Sequence, residues 1–128
     1  MTISKETYPA ATPYLIVPDA NAMLRFMTAA FGATEQQVQR NPDGSVGHAE
    51  MKIGDSLIML GQAGGTWPAR TSALYLWVDD VDATYRRALS AGGTSESAPE
   101  DKPYGHRVAG VDIGGVTWWI GAPVKTLG

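Results

Sequence analysis

Apolar side chains follow two periods along this chain, and the same order of periods occurs twice. Short apolar runs predict strands at about Thr12–Val17 and Ala73–Val78. Apolar residues at helical spacing then predict a helix from about Ala20 to Phe31 and another from about Val81 to Ala91. An aspartate precedes each helix, at positions 19 and 80, as a predicted N-cap, and glycines at 32 and 92–93 are predicted to end the helices.

The two halves also align directly. Residues 12–34 and 73–95 match without a gap at an offset of 61, and the identical pairs include Tyr14/Tyr75 and Asp19/Asp80. Three further strands are predicted after each helix, joined by turns rich in glycine, asparagine and aspartate. Their predicted ranges are Thr34–Gln39, Val46–Ile53 and Ser56–Leu60 in the first half, then Thr94–Ala98, Tyr104–Val111 and Val116–Ile120 in the second, with a loop at Pro99–Pro103.

The predicted order is therefore βαβββ-βαβββ. Consecutive strands joined by tight turns must pair antiparallel, so the chain is predicted to be an α+β protein rather than a parallel α/β one. We expect a single domain over residues 1–128, with module one at about 12–60, a linker at about 61–71 and module two at about 72–121.

Composition narrows the possible functions. A net charge of −3 gives no basic surface for nucleic acid, so no nucleic-acid partner is expected. The chain contains no cysteine, which excludes disulfides, thiolate metal sites and thiol nucleophiles. No apolar run approaches the roughly 20 residues of a membrane span, and the N-terminus lacks a signal-peptide layout. We therefore expect a cytoplasmic protein without a membrane partner.

Paired modules of this length resemble the vicinal oxygen chelate superfamily, which includes glyoxalase I, bleomycin-resistance proteins and extradiol dioxygenases. The resemblance covers nearly the whole chain. Its most specific pieces are VPDANAMLRFMTAAFGA, VDDVDATYRRALSAGG and the D-x-x-G turn at Asp112 and Gly115. It implies that each module's four strands form a curled, U-shaped mixed sheet, with the helix on the outer face and a ligand cleft on the other. It also implies a homodimer.

Metal-dependent members of that superfamily carry a His or Glu ligand on the first and last strand of each module. The resemblance places these positions at Thr12, Met59, Ala73 and Trp119. Hydroxyl, thioether, methyl and indole groups do not form a site for a hard divalent ion. The sequence therefore predicts no metal site and no cofactor.

Strand alternation then predicts which side chains line the cleft, because residues two apart point to the same face. Ten residues are predicted to bind the ligand: Thr12, Tyr14, Ile16, Leu57, Met59, Ala73, Tyr75, Trp77, Thr117 and Trp119. Apolar and aromatic walls with a few hydroxyls are typical of a small-molecule site. The first hypothesis is a metal-free protein that binds, and could sequester, an apolar or aromatic small molecule. The alternative is that these rings only fill the interior.

A second hypothesis is that the protein is an enzyme. The two histidines, His48 and His106, occupy comparable predicted strands, and His48 shares a polar face with Glu50. If that face turned into the cleft, Glu50 could orient His48 as a base. The superfamily reading would then be a lyase, isomerase or dioxygenase that acts on a vicinal-oxygen substrate, with candidate catalytic residues His48, Glu50 and His106. The plainer reading is a solvated strand face.

Overall fold

The computed structural model describes residues 8–125 and contains two four-stranded sheets, each accompanied by one helix. The elements of the first half are β1 (Tyr14–Val17), α1 (Ala20–Phe31), β2 (Thr34–Arg40), β3 (Val46–Ile53) and β4 (Ser56–Gln62). Those of the second half are β5 (Ser72–Trp77), α2 (Val81–Ser90), β6 (Thr94–Asp101), β7 (His106–Ile113) and β8 (Val116–Pro123). The α+β fold of two βαβββ modules is confirmed, with sheets that are curled but not closed.

The two sheets have the same topology. Their strand orders are β1-β4-β3-β2 and β5-β8-β7-β6. The first strand of each module pairs parallel to the last, and the three later strands pair antiparallel with one another. This follows from the connections. Tight turns join the last three strands of each module as antiparallel neighbours, and the helix carries the chain from the first strand to the second at the opposite edge, so that the fourth strand returns parallel beside the first.

Both helix starts are capped as predicted. The Asp19 side chain accepts a hydrogen bond from the Ala22 amide at 3.0 Å, and Asp80 accepts one from Ala83 at 3.0 Å. Helix α1 ends at Gly32, whose φ of 68° lies in the left-handed region that favours glycine. Helix α2 ends differently from the prediction: its last residue is Ser90, and its C-cap is Ala91 at φ −86°, with Gly92 in the left-handed region one residue later. Equivalent local signals therefore produce equivalent helix starts in the two modules.

Helix α1 also joins the modules. Its aromatic residues Phe26 and Phe31 contact the indole of Trp118 on β8, with ring centroids 6.3 and 5.0 Å apart. Trp118 is completely buried. The Arg87 side chain of α2 donates a hydrogen bond to the Ala30 carbonyl at the end of α1. One continuous core therefore runs from module one to module two.

Each sheet has one face packed against helices and one face turned away from them, which we call the open face. On the helix side of module one, Leu15, Leu60 and Met51 are buried in the core, and Trp118 and Ile120 are buried in module two. Alternation places the intervening residues on the open faces. The open faces therefore carry the side chains available for function.

Some strand limits differ from the prediction. Strand β6 continues to Asp101, through Pro99, where a loop was predicted. Pro99 is accommodated because β6 is an edge strand and its register with β7 shifts between Ser97 and Glu100. Strand β7 begins at His106 rather than Tyr104, and β1 begins at Tyr14, so that Thr12 precedes it. Within residues 8–125, neither helix is both long and apolar enough to cross a lipid bilayer.

Candidate functional site

The open face of module two carries exposed aromatic rings. Tyr75 and Trp77 of β5 and Trp119 of β8 lie on it, with Tyr75 paired in register with Trp119. Tyr75 is 43% exposed and Trp77 is 56% exposed, whereas the neighbouring Trp118 is buried on the other face. Ala73 and Thr117 also pair with each other, two residues before Tyr75 and Trp119, on the same face. The structure therefore brings together the five module-two residues that were predicted to bind the ligand.

Two glycines, which have no side chains, leave room for two of these rings to lie against the sheet. A methyl group built on Gly110 would approach the Trp119 ring to 2.6 Å, and one on Gly121 would approach the Tyr75 hydroxyl to 2.0 Å. Both distances are far shorter than an ordinary van der Waals contact, so any larger residue would displace the ring. The missing side chains at positions 110 and 121 therefore set the shape of this face.

His106 lies among three of the aromatic rings. Its Nδ1 is 3.2 Å from the Tyr75 hydroxyl, and its ring centroid is 4.6 Å from that of Trp77 and 5.1 Å from that of Tyr104. Burial, and then the nearby Tyr104, raise the pKa of Tyr75. Tyr104 is missing from the predicted set of ligand-binding residues. Its two-residue spacing from His106, which places both residues on the same face, is the sequence signal that could have identified it.

The open face of module one contains a cavity of about 340 Å³. Its walls include Tyr14 and Ile16 of β1, Gly61 of β4 and the indole of Trp67. Trp67 belongs to the segment between the sheets, where its backbone exchanges two hydrogen bonds with Gly64 at 2.8 and 2.9 Å. Of the predicted residues, Tyr14 and Ile16 line this cavity.

The other predicted residues of module one lie elsewhere. Met59 is half-buried between Tyr14 and Glu50 in register. Leu57 is buried and faces a second cavity, of about 460 Å³, together with Pro13, Leu74 and Trp118. Thr12 is half-buried. The structure therefore does not bring all ten predicted residues into one wall.

A buried carboxylate lies behind the module-one cavity. Glu50 of β3 is only 3% exposed and receives hydrogen bonds from three side chains. The Tyr8 hydroxyl donates to both oxygens at 3.0 and 3.1 Å, and the Gln36 amide donates to Oε1 at 3.0 Å. The His48 Nε2 lies 2.8 Å from Oε2. The solvated strand face that was the plainer reading is therefore wrong for Glu50.

These contacts determine the charge on Glu50. Burial alone would raise its pKa, but the hydrogen bonds from His48, Gln36 and Tyr8 together outweigh it and hold the pKa below its ordinary value. Burial and the hydrogen bond to Glu50 raise the pKa of Tyr8. At neutral pH the site therefore contains an ionised carboxylate and a neutral phenol.

A tyrosine extends this network to the cavity. The Tyr14 hydroxyl is 3.3 Å from His48 Nδ1, and the two rings are 5.7 Å apart. Tyr14, His48 and Glu50 thus form a continuous chain of hydrogen bonds from the cavity wall to the buried carboxylate. The sequence pointed to His48 and Glu50 but not to Tyr14, Gln36 and Tyr8 as their partners, which lie on other parts of the chain.

The repeat makes the two open faces directly comparable. In module one, Tyr14 pairs with Met59 and Met59 pairs with Glu50. In module two, Tyr75 pairs with Trp119 and Trp119 pairs with Gly110. Gly110 therefore occupies the position of Glu50, and the Trp119 ring covers it. Both modules contain a tyrosine–histidine contact, but only module one has a carboxylate behind the histidine.

A metal ion does not fit the four positions at which the sequence resemblance would place its ligands. Threonine, methionine, alanine and tryptophan occupy these four positions, at 12, 59, 73 and 119, and they do not supply the nitrogen and carboxylate ligands that such an ion needs. Among residues 8–125, no three His, Asp or Glu side chains lie close enough together to hold a metal ion.

Arg107 does not contribute to either open face. It forms a two-pronged ion pair with Asp82 at 2.8 and 2.9 Å and contacts Asp101 at 3.0 Å. These bonds tie β7 to the first turn of α2 and to β6. The hydrogen bonds from Arg107 hold the pKa of Asp82 below its ordinary value. Arg107 therefore has a structural role and is not available to position an anionic ligand.

Comparison with known proteins agrees with this architecture. The sequence pattern of the Glyoxalase/Bleomycin resistance protein/Dioxygenase superfamily matches residues 9–120. An uncharacterized protein of Mycobacterium tuberculosis (strain H37Rv) is 36% identical over an alignment 138 residues long. The alignment covers 98% of this chain and 81% of that protein.

Two solved structures show the same fold. TioX from Micromonospora sp. ML1 is 22% identical, with a TM-score of 0.73 over 90% of this chain and 100% of that one. A glyoxalase-related enzyme from Fulvimarina pelagi is 22% identical, with a TM-score of 0.72 over 94% of this chain and 92% of that one. The match to the superfamily pattern extends over most of the sequence, so this chain belongs to the glyoxalase/bleomycin resistance protein/dioxygenase superfamily.

Proposed function

We propose that this protein binds a flat, apolar or aromatic small molecule on the open face of module two, without a metal ion. The observation that carries the proposal is the exposure of its aromatic rings. Tyr75, Trp77 and Tyr104 are among the large hydrophobic residues most exposed in the described part of the chain, and they surround one histidine. Contiguous exposed apolar groups of this kind mark a binding surface.

The geometry supports stacking of a ligand on these rings. Tyr75 and Trp77 meet edge to face, with centroids 5.5 Å apart. A flat ligand that covers either ring gains about 0.5–1.5 kcal/mol per good aromatic contact beyond the burial of apolar surface. The hydroxyls of Tyr75, Tyr104 and Thr117 and the imidazole of His106 supply polar groups that orient a ligand. These features fit a binding or sequestering protein.

We also propose that the chain forms a homodimer. The exposed rings of both open faces, including Tyr14 at 48% exposure, support an interface or a shared cavity wall. Light scattering at micromolar concentration is expected to give twice the mass of one chain, and a monomer mass would contradict this. The cytoplasmic location expected from the sequence stays a prediction.

The binding proposal is tested by calorimetry on protein treated with EDTA. A panel of aromatic compounds is titrated into the wild type, Trp119→Ala and Tyr85→Phe, the last as a control because Tyr85 lies on α2 and bonds Ser95 instead. We expect at least one compound to bind wild type and control alike, with about tenfold weaker binding to Trp119→Ala, since tenfold is 1.4 kcal/mol. No binding by any compound, or equal binding by Trp119→Ala, would contradict the proposal.

A further inference from the structure

The network behind the module-one cavity has a direction. The ionised Glu50 carboxylate can only accept hydrogen bonds, so His48 Nε2, at 2.8 Å, must carry a proton. In a neutral ring Nδ1 is then unprotonated, and it accepts a hydrogen bond from the Tyr14 hydroxyl at 3.3 Å. With a neutral His48 ring, every donor of this network therefore points inward, from the cavity toward Glu50.

Hydrogen bonds from three side chains hold the Glu50 carboxylate in a fixed position behind the cavity. A carboxylate at 3% exposure is held by Tyr8, Gln36 and His48, and it forms no ion pair with a lysine or arginine among the described residues. These hydrogen bonds outweigh the cost of burying the charge, so the carboxylate stays ionised beside His48 Nε2. A histidine held by a carboxylate on one side and a hydroxyl on the other is the arrangement that activates a nucleophile or base.

We propose that Tyr14, His48 and Glu50 form an acid–base site that removes a proton from a carbon acid bound in the module-one cavity. Tyr14 is the catalytic residue, since it lines the cavity and touches His48. His48 accepts the proton behind it, and Glu50 is a positioning residue that fixes the imidazole and stabilises its charged form. The proposal is independent of ligand binding in module two, where Gly110 replaces the carboxylate.

The proposed step is balanced without an oxidant or a metal. The substrate C–H bond breaks, its proton goes to the Tyr14 oxygen, and the Tyr14 proton goes to His48 Nδ1. The electron pair of the C–H bond remains on the substrate, where it forms an enolate or expels a leaving group. The proton returns from His48 to another atom of the substrate in an isomerisation, or to water in an elimination.

The probe 5-nitrobenzisoxazole tests this chemistry directly. It is a flat aromatic carbon acid: when its C–H proton is removed, the electron pair forms a nitrile, the N–O bond breaks and a coloured phenolate is released. We expect wild type to turn it over faster than free imidazole at the same concentration. Tyr14→Phe keeps the ring, so kcat should fall about 100-fold while KM stays within about twofold. His48→Gln should lose kcat to a similar extent.

Two matched controls accompany these variants. Tyr85→Phe removes a phenol hydroxyl on α2, and Glu35→Gln neutralises an exposed carboxylate on β2; both should react like wild type. Glu50→Gln should lower kcat and change the His48 tautomer, which long-range proton–nitrogen spectra report. If Glu50→Gln fails to fold, Tyr14→Phe decides the question alone, because it removes one half-exposed hydroxyl.

Three results would overturn the proposal. They are no wild-type rate above imidazole, a Tyr14→Phe or His48→Gln variant as fast as wild type, and a neutral His48 ring protonated at Nδ1 in the wild type. None of these results bears on calorimetric binding to module two, so the two proposals fail separately.

Discussion

Replacing Gly110 with alanine tests whether the Trp119 indole lies on the open face of module two. The added methyl would be 2.6 and 2.9 Å from two atoms of the Trp119 ring and 3.3 Å from the Glu96 Cβ. An ordinary contact needs nearly an ångström more, so the indole must move. Overpacking costs about 1–3 kcal/mol, and a half-buried ring that can swing outward favours the lower half of that range.

An opposing gain must be subtracted. Alanine is better than glycine within a strand by roughly 0.5–1 kcal/mol. The expected net loss for Gly110→Ala is therefore about 1 kcal/mol of unfolding free energy, which corresponds to a midpoint about 4 °C lower. Gly64→Ala is the matched control, because nothing lies within 4 Å of its added methyl and its φ is not positive. The control should be neutral or slightly stabilising.

Urea denaturation and thermal unfolding of the two variants measure the difference, and a crystal structure of Gly110→Ala shows where the indole goes. We expect Trp119 displaced and ligand affinity reduced about tenfold, because the stacking surface is lost. A Gly110→Ala protein as stable as Gly64→Ala, with Trp119 unmoved, would refute this description of the face.

Three further predictions concern other parts of the structure. Gly121→Ala would displace the Tyr75 ring, whose hydroxyl lies 2.0 Å from the added methyl, and should therefore change the His106 signal in NMR spectra with little loss of stability, since Tyr75 is 43% exposed. Asp19→Ala and Asp80→Ala each remove an N-cap and should each cost about 1 kcal/mol in urea denaturation; a neutral effect would contradict the cap assignment. The pKa of Glu50 is lower in the folded protein than its ordinary value of about 4.5, so its contribution to stability is present above that pH and is lost as the pH falls through the folded pKa. Unfolding measured from about pH 6 to pH 3 should show this acid loss in wild type and a smaller one in Glu50→Gln, and identical profiles would contradict it.

Features of this fold set by nearby residues could be predicted from the sequence. The capping aspartates, the glycine at the end of α1 and the alternation that separates Trp118 from Trp119 are local signals, and the structure follows them. The path of β6 through Pro99 was missed because it depends on pairing with β7 and on a register shift, which no local pattern reports.

The module-one network was beyond prediction for a similar reason. Glu50 is buried because Tyr8 and Gln36, which are 42 and 14 residues away in sequence, donate hydrogen bonds to it. Without those partners a glutamate on a strand is expected to face solvent. The sequence predicted one cleft lined by apolar and aromatic residues of both modules, whereas the structure gives one open face a buried carboxylate and the other a glycine covered by an indole.

The most direct test of ligand binding is an NMR titration of protein labelled with nitrogen-15 at the indole of tryptophan. The four tryptophans, at positions 67, 77, 118 and 119, report separate places in the fold. When an aromatic compound that binds in calorimetry is titrated into EDTA-treated protein, the indole signals of Trp77 and Trp119 should shift together and saturate. The signal of the buried Trp118 should not shift. Shifts confined to Trp67, or no shift at Trp119, would contradict binding on the open face of module two.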